Sequence, residues 1–230
     1  MKTLVIIPAY NEEACIQNTV NNLIKTNPEI DVLVINDGSK DNTSQEAKQT
    51  KATVIDLPVN LGIGGAVQTG YLYALKNNYD VAIQYDGDGQ HRPEYIKQML
   101  EEIKNNDLVI ASRFIKQNEY RQTKSRMAGI KLIRGIIKMC TGKTIYDPTS
   151  GYRAANRKVI EQFAISYPHD YPEPETNLNL LRQGYKIKEI PSKMNNRETG
   201  KSSITPFKSI YYMVKVSLAM FVCMLQKGEK

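Results

Sequence analysis

Short apolar runs alternate along the chain with longer stretches whose apolar residues recur at helical spacing. Residues 3–7 are apolar and mostly β-branched, which predicts a strand, and residues 12–26 form the first predicted helix. Further strands are predicted at 31–37, 52–57, 80–86 and 107–112, with helices at 41–51, 66–76 and 93–104. This order predicts an α/β fold with a mainly parallel central sheet flanked by helices.

The alternation ends after Ser112, so the later segments are expected to be attachments to the sheet. Short right-handed crossovers place the strand ends that precede helices along one edge. We therefore expect Asp37 and Asp86 to lie on the same edge, where parallel sheets bind ligands.

Composition and charge narrow the class of protein. The 230 residues suffice for one sizeable core, and the net charge of +7 favours an anionic partner such as nucleic acid, a phosphorylated metabolite or an anionic membrane surface. The three cysteines are odd in number and lack CxxC spacing, which argues against a disulfide framework or a zinc site and suits a reducing, cytoplasmic setting. The apolar run at the N-terminus is too short for a signal peptide.

The stretch YDGDGQH, residues 85–91, places Asp86 and Asp88 one residue apart after a predicted strand. Two adjacent carboxylates repel each other unless a cation offsets their charge. Mg²⁺ or Mn²⁺ fits, because such ions take one or two carboxylates and complete their shell with water and phosphate, and Gln90 could add an oxygen. The alternative is a simple polar Asp-Gly turn.

Two familiar ligand motifs are excluded. A calcium EF-hand loop starting at Asp86 would need glycine and glutamate where His91 and Lys97 stand. The run GIGGAV, residues 62–67, departs from the dinucleotide fingerprint and follows the third strand, although a phosphate-contacting turn at Gly64 stays open.

Six motifs in order cover nearly the whole chain: residues 6–12 (IIPAYNE), 34–43 (VINDGSKDNT), 60–70 (NLGIGGAVQTG), 85–91 (YDGDGQH), 111–114 (ASRF) and 197–204 (RETGKSSI). The series resembles the family 2 inverting glycosyltransferases of GT-A fold, most of all the branch of dolichol-phosphate mannosyltransferases and bacterial polyprenyl-phosphate glycosyltransferases. The resemblance implies a catalytic domain at 1–205 and an amphipathic C-terminal helix at 206–230.

The resemblance also implies site residues. The nucleotide would contact Pro8, Ala9, Tyr10, Glu12, Asp37 and Gly64, and the metal would be held by Asp86, Asp88 and Gln90. For Glu12 the alternative is a favourable position at a helix start, and for Asp37 it is an Asx turn. The phosphates of donor and acceptor would meet Arg113, Arg126, Arg197, Lys201 and Ser202. Relatives often carry a serine shortly after the second arginine, whereas Ala128 and Gly129 follow Arg126 here.

The acceptor class depends on whether a base is required. A sugar hydroxyl needs a general base, and Glu173 or Glu175 lies about where hydroxyl-acceptor relatives carry an acid, although both also suit a helix start. A lipid phosphate is already anionic and needs no base.

Two segments point to a membrane surface. Residues 113–143 hold nine Lys or Arg and one acid, Glu119, with basic and apolar residues on separate faces of a predicted helix. Residues 209–227 are mostly apolar but fall short of a bilayer span, so a membrane interface, a partner protein, another copy of the chain or the core would cover them.

These features together predict a peripheral enzyme at the cytoplasmic membrane face. It would move a sugar, with inversion, from UDP-GlcNAc or UDP-Glc to polyprenyl phosphate for cell-surface polysaccharide modification. A small membrane protein would replace the spanning helices that many relatives carry, and no nucleic-acid partner is expected. The rivals are transfer to a sugar hydroxyl with Glu173 or Glu175 as base, and a non-catalytic protein that binds a nucleotide-sugar or a nucleic acid.

Overall fold

The computed structural model describes residues 1–115, 124–170 and 172–195. Seven strands and seven helices are found there. The strands are β1 (Thr3–Ala9), β2 (Asp31–Asn36), β3 (Thr53–Asp56), β4 (Val81–Gln84), β5 (Leu108–Ser112), β6 (Arg153–Asn156) and β7 (Ile187–Pro191). The helices are α1 (Ile16–Thr26), α2 (Thr43–Lys48), α3 (Gly62–Lys76), α4 (Tyr95–Glu102), α5 (Lys124–Thr141), α6 (Arg157–Ile165) and α7 (Pro172–Arg182).

The seven strands form one sheet in the order β3-β2-β1-β4-β6-β5-β7. Strand β6 runs antiparallel to both of its neighbours, and every other pair is parallel. The mainly parallel sheet is therefore confirmed. The expectation that everything after Ser112 is attached outside the sheet is wrong, because β6 is inserted between β4 and β5 and β7 extends the edge beyond β5.

Alternating side chains of the strands build a core on each face of the sheet. Leu4 and Ile6 of β1 pack with α3, α5, α6 and α7, whereas Val5 and Ile7 pack with α1 and α4. Both faces are apolar because helices cover both. This two-sided burial explains why β1, β2, β4 and β5 are largely apolar, whereas β3, at the edge of the sheet, is only partly buried.

Strand β1 projects beyond its neighbour β4 at the carboxyl edge. Its pairing with β4 ends at Ile6, opposite Gln84, while its pairing with β2 continues to Ala9. Pro8 can therefore stand in a central strand, since it lies past the last residue paired with β4. The gap left at the end of β4 is where the candidate site forms.

Several predicted residues lie outside the described part of the chain. These are Arg197, Lys201, Ser202 and the helix expected at 206–230. Their roles stay predictions.

Candidate active site

The turns after β1 and β2 are fastened to each other at the carboxyl edge. Asn11, in the left-handed region with φ 56°, donates its backbone N–H to Ser39 Oγ at 3.0 Å and accepts the Lys40 N–H at 2.9 Å. The Glu12 N–H is donated to Thr43 Oγ1 at 2.8 Å. These bonds hold residues 12–15 in a turn, so α1 begins at Ile16 and not at the predicted residue 12. Tyr10 stays 45% exposed at the rim.

Asp37 is buried where β2 ends, and its carboxylate faces the start of α3. Its Oδ1 accepts the Leu61 N–H at 2.6 Å. Burial raises the pKa of Asp37, while the backbone N–H groups of Leu61 and Gly62 act in the opposite direction. One carboxylate oxygen is thus used within the fold, and the predicted contact with a nucleotide base would fall to the other.

Gly64 lies in the first turn of α3, which begins at Gly62 and not at the predicted residue 66. Its N–H is donated to His169 O at 3.1 Å, and a Cβ there would lie 2.1 Å from Pro168 O. Close backbone packing requires the glycine. Since the amide is already bonded, a contact with phosphate stays a prediction that this geometry does not favour.

The 86–92 loop carries the acid pair and is held by hydrogen bonds from residues near the start of α1. Gly87 O accepts hydrogen bonds from Thr19 Oγ1 at 3.1 Å and Cys15 Sγ at 3.4 Å, both near the start of α1. Asp88 Oδ1 accepts the Gln90 N–H at 3.1 Å, which is the Asx-type turn that Asp-Gly sequences favour. The polar turn is therefore present in this loop, and the metal-binding role of the acid pair stays a prediction.

His91 lies buried behind Asp86. Its ring stacks on Tyr152 with centroids 4.7 Å apart and meets Tyr85 edge-on at 5.3 Å. The Nε2 atom lies 2.9 Å from Asp86 Oδ2 but makes no well-directed hydrogen bond in the described residues, so the two groups are neighbours and not an aligned pair. The ring thereby limits how far the Asp86 carboxylate can turn inward.

A turn at residues 147–151, which the sequence patterns did not single out, forms one wall beside Asp86. A Cβ on Gly151 would lie 3.3 Å from Asp86 Oδ1 and 3.1 Å from Gln84 Nε2. The turn is held by Arg113, whose Nε and Nη2 lie 2.7 Å from the two oxygens of the fully buried Asp147. Glycine at 151 keeps the space next to the Asp86 carboxylate open.

This placement of Arg113 bears on its predicted role. Besides both bonds to Asp147, its Nη2 donates to Thr149 Oγ1 at 2.9 Å. Arg126 is half-buried in the first turns of α5. Contact of either residue with an acceptor phosphate stays a prediction.

Glu173, in the first turn of α7, belongs to a buried polar network beneath the site. Gln84 Nε2 donates to Glu173 Oε1 at 3.4 Å, and Gln84 Oε1 accepts from Tyr167 at 3.2 Å. Burial raises the pKa of Glu173, the Arg153 guanidinium lowers it, and the charge of Asp86 raises it again, although part of the residue's surface is accessible. Burial alone raises the pKa of Glu175. Glu173 is the glutamate that shares an environment with the acid pair.

The residues present fit a divalent cation of the Mg²⁺ or Mn²⁺ type. The Asp86 side chain is 40% exposed, and the predicted ligands Asp86, Asp88 and Gln90 all offer oxygen atoms. Within the described residues no three His, Cys, Asp or Glu side chains gather as a metal site. Two carboxylates alone suit an ion that takes its remaining ligands from water and substrate phosphates, as Mg²⁺ usually does.

Comparison with known proteins identifies the family. A family model described as glycosyl transferase family 2 matches residues 4–163. The chain belongs to glycosyl transferase family 2. An undecaprenyl-phosphate mannosyltransferase of Micrococcus luteus is 30% identical over 214 residues, covering 89% of this chain and 88% of the relative. A polyprenol monophosphomannose synthase of Mycolicibacterium smegmatis is 28% identical, covering 94% and 86%.

Comparison with solved structures shows that this member of glycosyl transferase family 2 has the GT-A fold. Glucosyl-3-phosphoglycerate synthase from Mycobacterium tuberculosis, in complex with Mn²⁺, UDP and glucosyl-3-phosphoglycerate, matches with a TM-score of 0.72 and 19% identity. The match covers 100% of this chain and 81% of that chain. The predicted fold and family are therefore confirmed.

The sequence patterns missed Gln84, Asp147, Arg153 and Asn195. A weak signal was available for two of them, since Gln84 interrupts the apolar run VAIQY and Arg153 stands beside an apolar pair in YRAAN. A polar residue inside a buried strand needs a partner, and that need marks a candidate site. Asp147 and Asn195 lie in polar segments, and nothing in the sequence distinguishes them from ordinary loop residues.

Proposed function

We propose that the protein transfers a sugar from a nucleotide-sugar to polyprenyl phosphate, with inversion at the anomeric carbon. The observation that carries the proposal is the Asp86–Asp88 pair, which stands at the open carboxyl edge between the β1 projection and the turn at 147–151. Relatives named for undecaprenyl-phosphate or polyprenol monophosphate chemistry cover most of the chain and support this acceptor class.

The proposed donors are UDP-GlcNAc and UDP-Glc. A Methanococcus voltae relative, 33% identical over 177 residues, is named a UDP-N-acetylglucosamine–dolichyl-phosphate N-acetylglucosaminyltransferase. The solved neighbours bind UDP with Mn²⁺ or Mg²⁺. Mannose is the competing sugar, because the Micrococcus and Mycolicibacterium relatives are named for it.

In this proposal each group of residues has a separate task. Residues 8–12 and Asp37 hold the nucleoside, and Asp86, Asp88 and Gln90 hold the divalent ion. When bound, that ion neutralises the negative charge that grows on the departing diphosphate. An acceptor phosphate oxygen forms the new bond to the anomeric carbon, and the nucleoside diphosphate leaves with the electron pair of the bond that breaks.

No proton has to be removed from a phosphate acceptor, because its attacking oxygen is already anionic. Glu173 is then a structural neighbour of the acid pair, and Arg113 and Arg126 supply positive charge towards the acceptor.

The proposed location is the cytoplasmic face of the membrane, where a lipid-linked acceptor would be reached. Among the described helices none is both long and apolar enough to cross a bilayer. Helix α5 instead exposes Lys131, Leu132, Lys138 and Met139 along one side, which suits contact with an anionic interface. A small membrane protein as partner and self-association remain parts of the proposal.

The direct test incubates the purified protein and polyprenyl phosphate with labelled UDP-GlcNAc, UDP-Glc and GDP-mannose, and then extracts the lipid. We expect Mn²⁺- or Mg²⁺-dependent label in the lipid phase from a UDP-sugar. Label from GDP-mannose alone would correct the donor. Absence of label from all three, with nucleotide still bound, would favour the non-catalytic alternative.

Replacement of Asp88 provides the matching variant. Asp88→Asn should lower transfer by about 100-fold or more, since it weakens the charge stabilisation of the leaving group. Asp80→Asn, at the opposite edge of the sheet, is the control and should transfer at the wild-type rate. Equal activity in both variants would exclude the acid pair from catalysis.

Transfer to a sugar hydroxyl is the second candidate, favoured by the proximity of Glu173 to Asp86. A general base contributes about 10²–10⁴-fold, so Glu173→Gln or Glu175→Gln would abolish measurable turnover with such an acceptor. With a phosphate acceptor we expect at least one of the two variants to stay within roughly tenfold of wild type.

A further inference from the structure

Asn195 forms hydrogen bonds to the 86–92 loop through its backbone N–H and through both polar atoms of its side chain. Its backbone N–H is donated to Gln90 O at 2.8 Å, and its Nδ2 to Gly89 O at 3.4 Å. Its Oδ1 accepts from Arg92 Nε at 2.8 Å. The side-chain bonds join residues 103 and 106 positions apart in sequence, so they connect the segment after β7 to the loop after β4.

Asn195 contacts the middle of the loop, residues 88–90, where the local bond runs from the Gln90 N–H to Asp88 Oδ1. Gly89 adopts φ +73°, a conformation with little steric resistance to change in glycine. On the other side Gly87 is held by Thr19 and Cys15, and the carbonyl of Arg92 accepts from Tyr152 at 3.1 Å. Residues 88–90, which carry the predicted metal oxygens, lie between these two held ends, and Asn195 adds bonds from a distant segment to the carbonyls of Gly89 and Gln90.

A second contact ties the same two segments. The Lys193 N–H is donated to Tyr95 Oη at 3.0 Å, at the start of α4. Residues 193–195 are thus hydrogen-bonded both to the 86–92 loop and to the start of α4, the helix that follows that loop.

We propose that Asn195 is a positioning residue that sets the geometry of Asp88 and Gln90 for the divalent ion and the diphosphate. The inference rests on the proposed function for the identity of the ligand, and it names a residue that the sequence motifs do not contain. In this proposal Asn195 is not itself a ligand of the ion. It acts through the backbone carbonyls of Gly89 and Gln90 and through Arg92.

The test titrates Mn²⁺ into the purified full chain with UDP present and follows the loss of the free-ion signal by electron paramagnetic resonance. Outer-shell partners typically change metal affinity by about 10–100-fold, so Asn195→Ala should weaken Mn²⁺ binding by roughly tenfold. Asn195→Asp keeps the acceptor for Arg92 and loses the donor to Gly89, and it should fall between wild type and Asn195→Ala.

The control is Asn77→Ala, which removes an asparagine side-chain bond to a backbone carbonyl, that of Tyr73, at the far end of α3. It should bind Mn²⁺ as wild type does. In a double-mutant cycle, Arg92→Ala should cost clearly less in Mn²⁺ affinity when Asn195 is already alanine, because the two side chains share a bond. Additive effects would contradict the proposed route through Arg92.

A structural role alone predicts a different outcome, namely a lower unfolding midpoint for Asn195→Ala with unchanged Mn²⁺ affinity, and that result would overturn the inference. Failure of the proposed function looks different again: wild type would bind Mn²⁺ and UDP and the variant would bind them less well, but no lipid would be labelled. Wild-type protein that binds no Mn²⁺ would refute the metal site and this inference together.

Discussion

Glu173 lies where the first turn of α7 meets the carboxyl edge of the sheet, near Asp86 and Asp88. The predicted cation site does not include it. Its carboxyl contacts Gln84, a residue held by Tyr167 inside the sheet. Burial raises the pKa of Glu173 by more than the Arg153 guanidinium lowers it. At the scale of single residues, the site therefore combines two partly exposed acids, Asp86 and Asp88, with a third, Glu173, whose carboxyl bonds inward to Gln84.

The raised pKa of Glu173 predicts a pH-dependent effect on stability. Between the unfolded and the higher folded pKa the native state holds more protons, so wild-type stability falls as pH rises through that window. Glu173→Gln cannot ionise, and we expect it to unfold at a higher urea concentration than wild type at about pH 7.5 but not at about pH 4. Glu29→Gln, on an exposed turn, is the control. If the urea midpoints of wild type and Glu173→Gln differed by the same amount at both pH values, the raised pKa of Glu173 would be contradicted.

At the scale of elements, burial on both faces decided what could be predicted from sequence. Strands β1, β2, β4 and β5 are largely apolar and almost entirely buried between helices, so their existence and shared direction could be predicted from the pattern. Strand β7 carries the adjacent charged residues Lys188 and Glu189 at the sheet edge, and β6 begins with an arginine, so neither has that pattern. Their places in the sheet depend on contacts with residues distant in sequence.

The same limit applies to the site. Asp86 and Asp88 could be predicted because their spacing carries chemistry in itself. The wall at Gly151 and the bonds of Asn195 arise only when segments far apart in sequence meet. Gly64 shows the converse, because a glycine in a phosphate-like motif proves to be required by the packing of α3 against residues 168–169.

Packing at Gly64 gives a prediction for helix α3. Gly64→Ala would place a Cβ 2.1 Å from a backbone oxygen that cannot move alone, so we expect the free energy of unfolding to fall by about 1–3 kcal/mol. Gly135→Ala in α5 is the matched control: its Cβ would meet nothing within 4 Å, and alanine should stabilise the helix by about 0.5–1 kcal/mol. Urea denaturation measures both. An unchanged free energy of unfolding for Gly64→Ala would show that α3 packs loosely against residues 168–169.

At the scale of the whole molecule, the net charge of +7 is unevenly placed. The exposed side of α5 carries Lys131 and Lys138 beside Leu132 and Met139, while Ile133 and Ile137 bury the helix in the core. Cations and apolar side chains exposed together favour an anionic membrane surface over a soluble anion. Contact of this face with the membrane is the whole-molecule counterpart of the proposed lipid-linked acceptor.

Charge reversal on α5 tests this orientation. Each basic residue near an anionic bilayer contributes about 1 kcal/mol, so Lys131→Glu with Lys138→Glu should weaken binding to phosphatidylglycerol-containing vesicles by roughly tenfold or more. The control, Lys25→Glu with Lys76→Glu, makes the same change of net charge on other helices. Cosedimentation with vesicles measures both pairs. Equal losses would mean that net charge alone, and not this face, attracts the protein to the membrane.

The central claim is that Asp86 and Asp88 hold a divalent ion that in turn holds the diphosphate of the donor. The most direct measurement is a crystal structure with UDP and Mn²⁺, with anomalous scattering used to locate the manganese. We predict one strong anomalous peak within coordination distance of the acid pair and of both phosphates. Ordered UDP whose manganese lies elsewhere, or whose diphosphate lies away from the 86–92 loop, would contradict the account.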